Sequence, residues 1–330
     1  MRPSVKIVVP CRNEREWLRV TIDSILDTTR YPAFSILVLA NGDTVTEFSF
    51  LDRPAYREKV RLERVAEALG VGNCINRAVD LGDAMYYAFL DAHCLVDQED
   101  WIDRLVDCLE RNPRACMVQP EVLQFTYDGN LPSGGHVESQ RLIVRYRAYS
   151  IKWQWPYGGP LHVASVLMEA EGSEPYEAMA GGGMAAFASS ETFHRLGGYD
   201  PEVSGWYPET MDYCIHGWLL GYPMMVDPTV RVYHRVKTGR DAQTGEDHTP
   251  NIIHGVLRTA YKYLSPRRRD MAEMLFRDHG LDREVDEALV RVEGGRWLEE
   301  RHAFLRERTR DDDWLFERFS IHEDGHGIRA

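Results

Sequence analysis

The sequence predicts an α/β protein built on a mostly parallel sheet flanked by helices. Two observations carry that reading. Over the first 120 residues, short β-branched apolar runs alternate with segments of helical period. Most of these segments stop at a Pro, Gly or Asn turn signal, as the crossover connections of a parallel sheet require.

Val5–Val9 is a β-branched run closed by Pro10 and reads as a buried strand. Glu14–Asp27 follows as a helix with Leu18, Ile22, Ile25 and Leu26 on one stripe, and Asn13 stands where an N-cap is expected. Phe34–Ala40 is the second strand, stopped by Asn41-Gly42-Asp43. Arg61–Val65 reads as a strand, Asn73–Leu81 as a short helix and Met85–Leu90 as a further strand. Asp100–Arg111 is a helix with Trp101, Ile102, Leu105, Val106 and Leu109 at helical spacing, and Ala115–Gln119 is a strand. The middle of the chain is less regular, with Trp153, Trp155 and Tyr157 close together. Glu209–Leu220 is a helix, and Thr229–Tyr233 is a strand. Lys237–Thr249 is polar with two glycines and reads as a mobile loop able to close over a ligand. From Ile252 onward the pattern is helical and strongly charged.

The 330 residues can bury one large core or two modest ones. A formal net charge of −13 argues against non-specific binding to nucleic acid or anionic lipid. The six cysteines form no CxxC pair, and most sit in apolar runs, so a reduced protein of the cytoplasm is expected. No stretch reaches the ~20 apolar residues of a membrane span.

Chemistry concentrates first at Asp91-Ala92-His93, which follows directly on the strand Met85–Leu90. In an extended segment residues i and i+2 point to one side, so a carboxylate and an imidazole could reach one ion. The carboxyl end of a strand in an open α/β sheet is where ligands bind. A carboxylate with an imidazole suits Mn²⁺. Taken alone, the tripeptide fits a turn with a solvated ring better than a metal site.

The order of several segments resembles a known family. Val8-Val9-Pro10-Cys11-Arg12-Asn13-Glu14, Leu37–Asp43 and Phe89-Leu90-Asp91-Ala92-His93-Cys94 resemble the nucleotide-binding half of family 2-like glycosyltransferases. Phe89–Cys94 is most similar to the polypeptide N-acetylgalactosaminyltransferases, which use Asp-x-His where most relatives use Asp-x-Asp. Ala180-Gly181-Gly182-Gly183-Met184, Gly197-Gly198-Tyr199-Asp200-Pro201, Trp206–Asp212 and Val230–Arg235 resemble that branch's later motifs in the same order, and the likeness spans about residues 5–236.

The resemblance implies a GT-A domain over residues 1–250, with a nucleotide-sugar-binding half over 1–120 and an acceptor half over 121–250. Residues 251–330 are expected to form a helical C-terminal extension, with no room for the lectin domain of the animal enzymes. It implies a metal held by Asp91, His93 and His234, with Mn²⁺ or another divalent cation as the ion and a UDP-sugar as donor. Pro10, Arg12, Asn13, Glu14, Asn41 and Asp43 would border the nucleotide, together with Asp91 and Ala92. An Arg is expected in the helix after Gly70; Asn73 and Ile75 hold the matching slots, with Arg77 nearby.

Gly181, Gly182 and Gly183 would let backbone approach the donor sugar, or else form a tight strand–helix junction. Trp206 would stack on a sugar or pack in a core. Glu209 and Asp212 lie on one side of a helix, where acids also favour the N-terminal dipole. The resemblance favours a functional Glu209.

Three functions follow. The first is a retaining transferase moving a sugar, expected to be an N-acetylhexosamine, from a UDP-sugar. The second is an inverting family 2 enzyme with Glu209 or Asp212 as base, making polysaccharide or glycolipid. The third is a catalytically silent nucleotide-sugar-binding protein. The acceptor stays open among protein, peptide, small molecule, glycan and modified DNA base, with Arg141, Arg145, Arg147 and Lys152 as a local basic group. The amphipathic C-terminal helices would pack on the transferase domain or on a second copy in a homodimer.

Overall fold

The computed structural model describes residues 2–82, 84–126, 141–146, 150–152, 162–164, 173–204, 208–237, 249–319 and 321. The Trp153–Tyr157 aromatics, Trp206, the loop residues 238–248 and the side chains of Arg141, Arg145, Arg147 and Lys152 lie outside the description.

Strands β1 (Val5–Cys11), β2 (Phe34–Asn41), β3 (Val60–Val65) and β4 (Tyr86–Leu90) run parallel in the order β4-β1-β2-β3. The helices between them are α1 (Trp17–Thr28), α2 (Pro54–Arg57) and α3 (Val71–Asp80). The chain continues through β5 (Cys94–Val96), α4 (Trp101–Arg111) and β6 (Met117–Thr126), then β7 (Arg141–Tyr146), β8 (Ser150–Lys152), β9 (His162–Ala164) and β10 (Tyr176–Ala178). Next come β11 (Ala185–Ser189), α5 (Ser190–Arg195), α6 (Pro208–Leu220) and β12 (Met224–Arg235). β11 inserts antiparallel between β4 and β6, and β12 pairs parallel with β6. Five helices close the described chain: α7 (Thr249–Tyr263), α8 (Pro266–Arg277), α9 (Asp282–Gly294), α10 (Trp297–Glu307) and α11 (Asp312–Arg318).

Strand periodicity divides the core between the two faces of the sheet. Ile7 and Val9 of β1, Ile36 and Val38 of β2, and Ala88 and Leu90 of β4 pack with Leu18 and Ile22 of α1 and Ile102 and Leu105 of α4. Val8, Leu37, Leu39, Tyr87 and Phe89 point the other way, onto α3, α5 and α6. The C-terminal helices join that second core. Ile253, Val256, Leu257 and Ala260 of α7 share it with Met211 and Ile215 of α6.

A buried charge cluster ties α7 to α6. Arg258 is fully buried, its Nε donating to Asp200 at 2.9 Å and its Nη2 to Glu300 at 2.7 Å. Lys262 donates to Asp200 and stands 3.7 Å from Asp212. Thr259 Oγ1 donates to Asp212 Oδ1 at 3.0 Å.

Candidate metal and donor site

The metal candidates meet at the ends of β4 and β12. The extended backbone expected to bring Asp91 and His93 to one side is a tight turn instead, closed by Cys94 N donating to Asp91 O at 3.0 Å. Asp91 is fixed from the other side, its N–H donating to Met184 O at 3.0 Å. After the turn, β5 pairs antiparallel with β12 and sets His234 opposite Cys94. Arg235 N donates to His93 O at 3.1 Å, so the register places the two histidines side by side. A small apolar cluster of Trp17, Val20, Leu95, Leu123, Phe125 and Tyr233 braces this region, and Arg235 lies over the Trp17 ring at 4.5 Å.

His93 Nε2 and His234 Nε2 are 3.1 Å apart, and Asp91 Oδ2 stands 3.2 Å from His234 Nε2 and 3.8 Å from His93 Nε2. Two ligand atoms on one ion with bonds of about 2.1 Å are about 3.0–3.4 Å apart. The three side chains therefore fit one shared ion after a small adjustment. Among the described residues this is the one group of three or more His, Cys, Asp and Glu side chains with that convergence. The set of one carboxylate and two imidazoles suits a borderline divalent ion. Burial holds His234 below its ordinary pKa, which keeps its imidazole neutral, the form that binds metal.

Glu14 stands behind this group. Its Oε2 lies 3.1 Å from His93 Nδ1, and its Oε1 accepts from Lys237 Nζ at 2.6 Å. Burial alone would raise its carboxyl, but His93 and Lys237 outweigh it and bring the pKa down to about 2.

Asn13, Asn41 and Asp43 organise backbone beside it. Asn13 has φ 59°, and its N–H donates to Asp43 Oδ2 at 2.7 Å. That bond holds Asn13 in the left-handed region, so it does not cap a helix; α1 begins at Trp17, with Glu16 in the capping position. Asp43 Oδ1 accepts from Val45 N and Thr46 N at 3.0 and 2.8 Å, and its Oδ2 accepts from Thr46 Oγ1 at 2.6 Å. Asn41 Oδ1 accepts from Leu69 N at 2.7 Å. Gly42, at φ 61°, turns the chain where a Cβ would stand 2.8 Å from Ala68 N. Pro10 belongs to β1, Ala92 is buried and Arg12 is exposed.

The glycine stretch leads to Asp91 through Met184. Gly182 N donates to Gln119 Oε1. A Cβ on Gly181 would stand 2.8 Å from both Gln119 Oε1 and Met224 Cε, whereas one on Gly183 would meet Thr210 Oγ1 at 3.3 Å. Glu209 opens α6 and is buried, its stem against the start of α3, where a Cβ on Gly72 would meet it at 3.2 Å. Asp212 lies deeper, held by Thr259, Tyr263 and Lys262. Arg77 pairs with Glu63 at 2.9 Å on β3.

Two partners in this arrangement were not singled out from the sequence. Gln119 left no signal in its apolar strand. Thr46 did leave one: Asp43-Thr44-Val45-Thr46 has the side-chain-to-backbone spacing of an Asp-initiated turn.

Residues 6–163 match the model described as glycosyl transferase family 2. It is 25% identical over 251 residues to a Drosophila melanogaster protein described as polypeptide N-acetylgalactosaminyltransferase 13, covering 71% of this chain and 42% of that protein. It is likewise 25% identical over 272 residues to polypeptide N-acetylgalactosaminyltransferase 11 of Xenopus tropicalis, covering 79% of this chain and 43% of the relative. The chain thus spans less than half the length of these relatives. A crystal structure of GalNAc-T7 with UDP, GalNAc and Mn²⁺ aligns with a TM-score of 0.67 at 17% identity, over 96% of this chain and 56% of that one. The two share the GT-A fold expected from the sequence. Among the described residues no helix is long and apolar enough to cross a membrane.

Proposed function

We propose that this chain transfers a sugar from a UDP-sugar, with a divalent ion, Mn²⁺ first among candidates, held by Asp91, His93 and His234. The observation that carries the reading is the convergence of those three ligand atoms within 4.8 Å at the carboxyl end of the sheet. Such an ion supplies Lewis-acid stabilisation of the departing diphosphate. The protein's own residues then position and exclude. Asn13, Asn41 and Asp43 order the loops that would border the nucleotide. The Gly181–Gly183 stretch runs from the Gln119 contact to Met184, whose carbonyl holds Asp91, and this link to the metal group supports a role beside the donor sugar.

We read the transfer as retaining and the sugar as an N-acetylhexosamine. The names of the relatives support the sugar class. Retention is supported by the engagement of Asp212, whose carboxylate is spent on Thr259, Tyr263 and Lys262 and is a poor general base for an acceptor. Six free, buried cysteines support a reducing compartment.

The test is a screen of UDP-sugars for donor hydrolysis with Mn²⁺ and with EDTA, followed by the anomeric configuration of a transfer product. Hydrolysis of one UDP-N-acetylhexosamine only in Mn²⁺, and a retained anomer, is the expected result. Inversion would reassign the mechanism to a carboxylate base.

A further inference from the structure

We infer that Glu14 is a positioning residue for the metal: through His93 Nδ1 it fixes the imidazole so that Nε2 presents its lone pair to the ion. The inference rests on the metal reading above and adds a residue that would touch neither ion nor donor.

Three observations carry it. Glu14 and His93 are both buried, and Glu14 Oε2 lies 3.1 Å from His93 Nδ1. An ionised carboxylate only accepts, so the ring hydrogen of a neutral His93 must sit on Nδ1. That leaves Nε2, which faces Asp91 and His234, without a hydrogen and free to bind. Second, the other Glu14 oxygen is taken by Lys237 Nζ at 2.6 Å, which fixes the carboxylate in the rotamer that serves His93.

Third, the backbone delivers Glu14 at a cost. Its neighbours Asn13 and Arg15 have φ 59° and 53°, a region non-glycine residues seldom occupy. Glu14 N and Arg15 N donate to Thr46 Oγ1 at 2.9 and 3.2 Å, and Asp43 holds Asn13. Backbone strain of this kind persists only where the surroundings over-determine it, and it clusters at functional sites. His234 offers a contrast: among the described residues its buried Nδ1 has no hydrogen-bond partner. The carboxylate therefore orients one of the two imidazoles. Carboxylate–histidine–metal arrangements of this type set both the tautomer and the ligand strength.

Two measurements test it. In metal-free protein with ¹⁵N-labelled histidine, His93, assigned by its loss in His93→Gln, should show the Nδ1–H tautomer. Glu14→Ala should shift it toward Nε2–H. Mn²⁺ titration followed by electron paramagnetic resonance should give affinity weaker by roughly 10–100-fold in Glu14→Ala. Glu14→Ala should add no further loss in a His93→Ala background. Glu14→Gln keeps the shape with a weaker acceptor; it should show the same changes in smaller degree, and it carries the test if Glu14→Ala does not fold.

An unchanged tautomer with unchanged Mn²⁺ affinity overturns the inference, as does an undiminished loss in the His93→Ala background. A wild-type protein that binds no Mn²⁺ but keeps a Glu14-dependent tautomer would overturn the metal reading, and with it the role in metal binding, while leaving the orienting contact intact.

Discussion

The Nε2 atoms of His93 and His234 face each other across 3.1 Å although 141 residues separate them in the chain. The antiparallel pairing of β5 with β12 brings them together, and Asp91 completes the group from the preceding turn. Replacing either histidine by alanine should weaken Mn²⁺ binding by more than the roughly 10–100-fold typical of losing an outer-shell partner. The fold should persist, since both residues lie at strand ends beside an apolar cluster that neither of them fills. Electron paramagnetic resonance of Mn²⁺ and a thermal melt in EDTA check the two halves of this expectation.

The C-terminal helices are expected to be inseparable from the core around the sheet. Ending the chain after Thr249 would strip Ile253, Val256, Leu257 and Ala260 from the cluster containing Met211 and Ile215. The expected product is insoluble or unfolded. A point variant makes the same case. Lys262→Met leaves Asp200 and Asp212 buried with less compensation, and breaking a buried pair in this way costs about 3–5 kcal/mol. Urea unfolding of the variant reads that loss directly, and a loss under about 1 kcal/mol would count against the cluster as an anchor.

Gly181 and Gly183 should separate packing from sugar approach. A methyl at Gly181 would stand 2.8 Å from Gln119 Oε1 and Met224 Cε, so Gly181→Ala should destabilise by about 1–3 kcal/mol. Gly183→Ala meets only Thr210 Oγ1 at 3.3 Å and should fold nearly as well. A higher donor KM in Gly183→Ala with an unchanged melting temperature would mark that position as facing the sugar.

Acid should weaken the fold through two histidines. Burial lowers His216 from 6.5 to about 3 and His254 from 6.5 to about 4. As pH falls below 6.5, the unfolded chain takes up protons that the folded chain refuses, so stability drops toward acid pH. Asp212, which burial pushes up to about 6, works the opposite way by gaining its proton first in the folded state. The comparison of variants therefore carries the prediction. His216 stacks on Tyr263 and meets Phe304 edge-on, so His216→Phe keeps the ring contacts. It should flatten the stability curve below pH 6.5 by about 1.4 kcal/mol per pH unit. A slope identical to the wild type would contradict the neutral, desolvated imidazole.

The strands and helices of the first 120 residues were legible because apolar period and turn residues agree there. Ile7, Val8 and Val9 read as one apolar run in the sequence, and the structure sends Val8 to one core and Ile7 and Val9 to the other. Other features had no local signal. β5 is three residues long, and only its pairing with β12 makes it a strand. The start of α1 shifted because Asp43, thirty residues away, binds the Asn13 N–H. Asp91 and His93 could be singled out from the strand that precedes them, but their convergence depends on the Asp91–Cys94 turn and on a register set by distant β12. Glu14 read as a nucleotide neighbour from its place after β1; its contacts with His93 and Lys237 arise from tertiary packing alone.

The central claim is that Asp91, His93 and His234 hold an ion that the donor needs. Calorimetric titration of the protein with UDP, in Mn²⁺ and then in excess EDTA, tests it most directly. The account predicts binding in Mn²⁺ that disappears in EDTA and weakens at least about tenfold in His234→Ala. Equal UDP affinity in Mn²⁺ and in EDTA would contradict it.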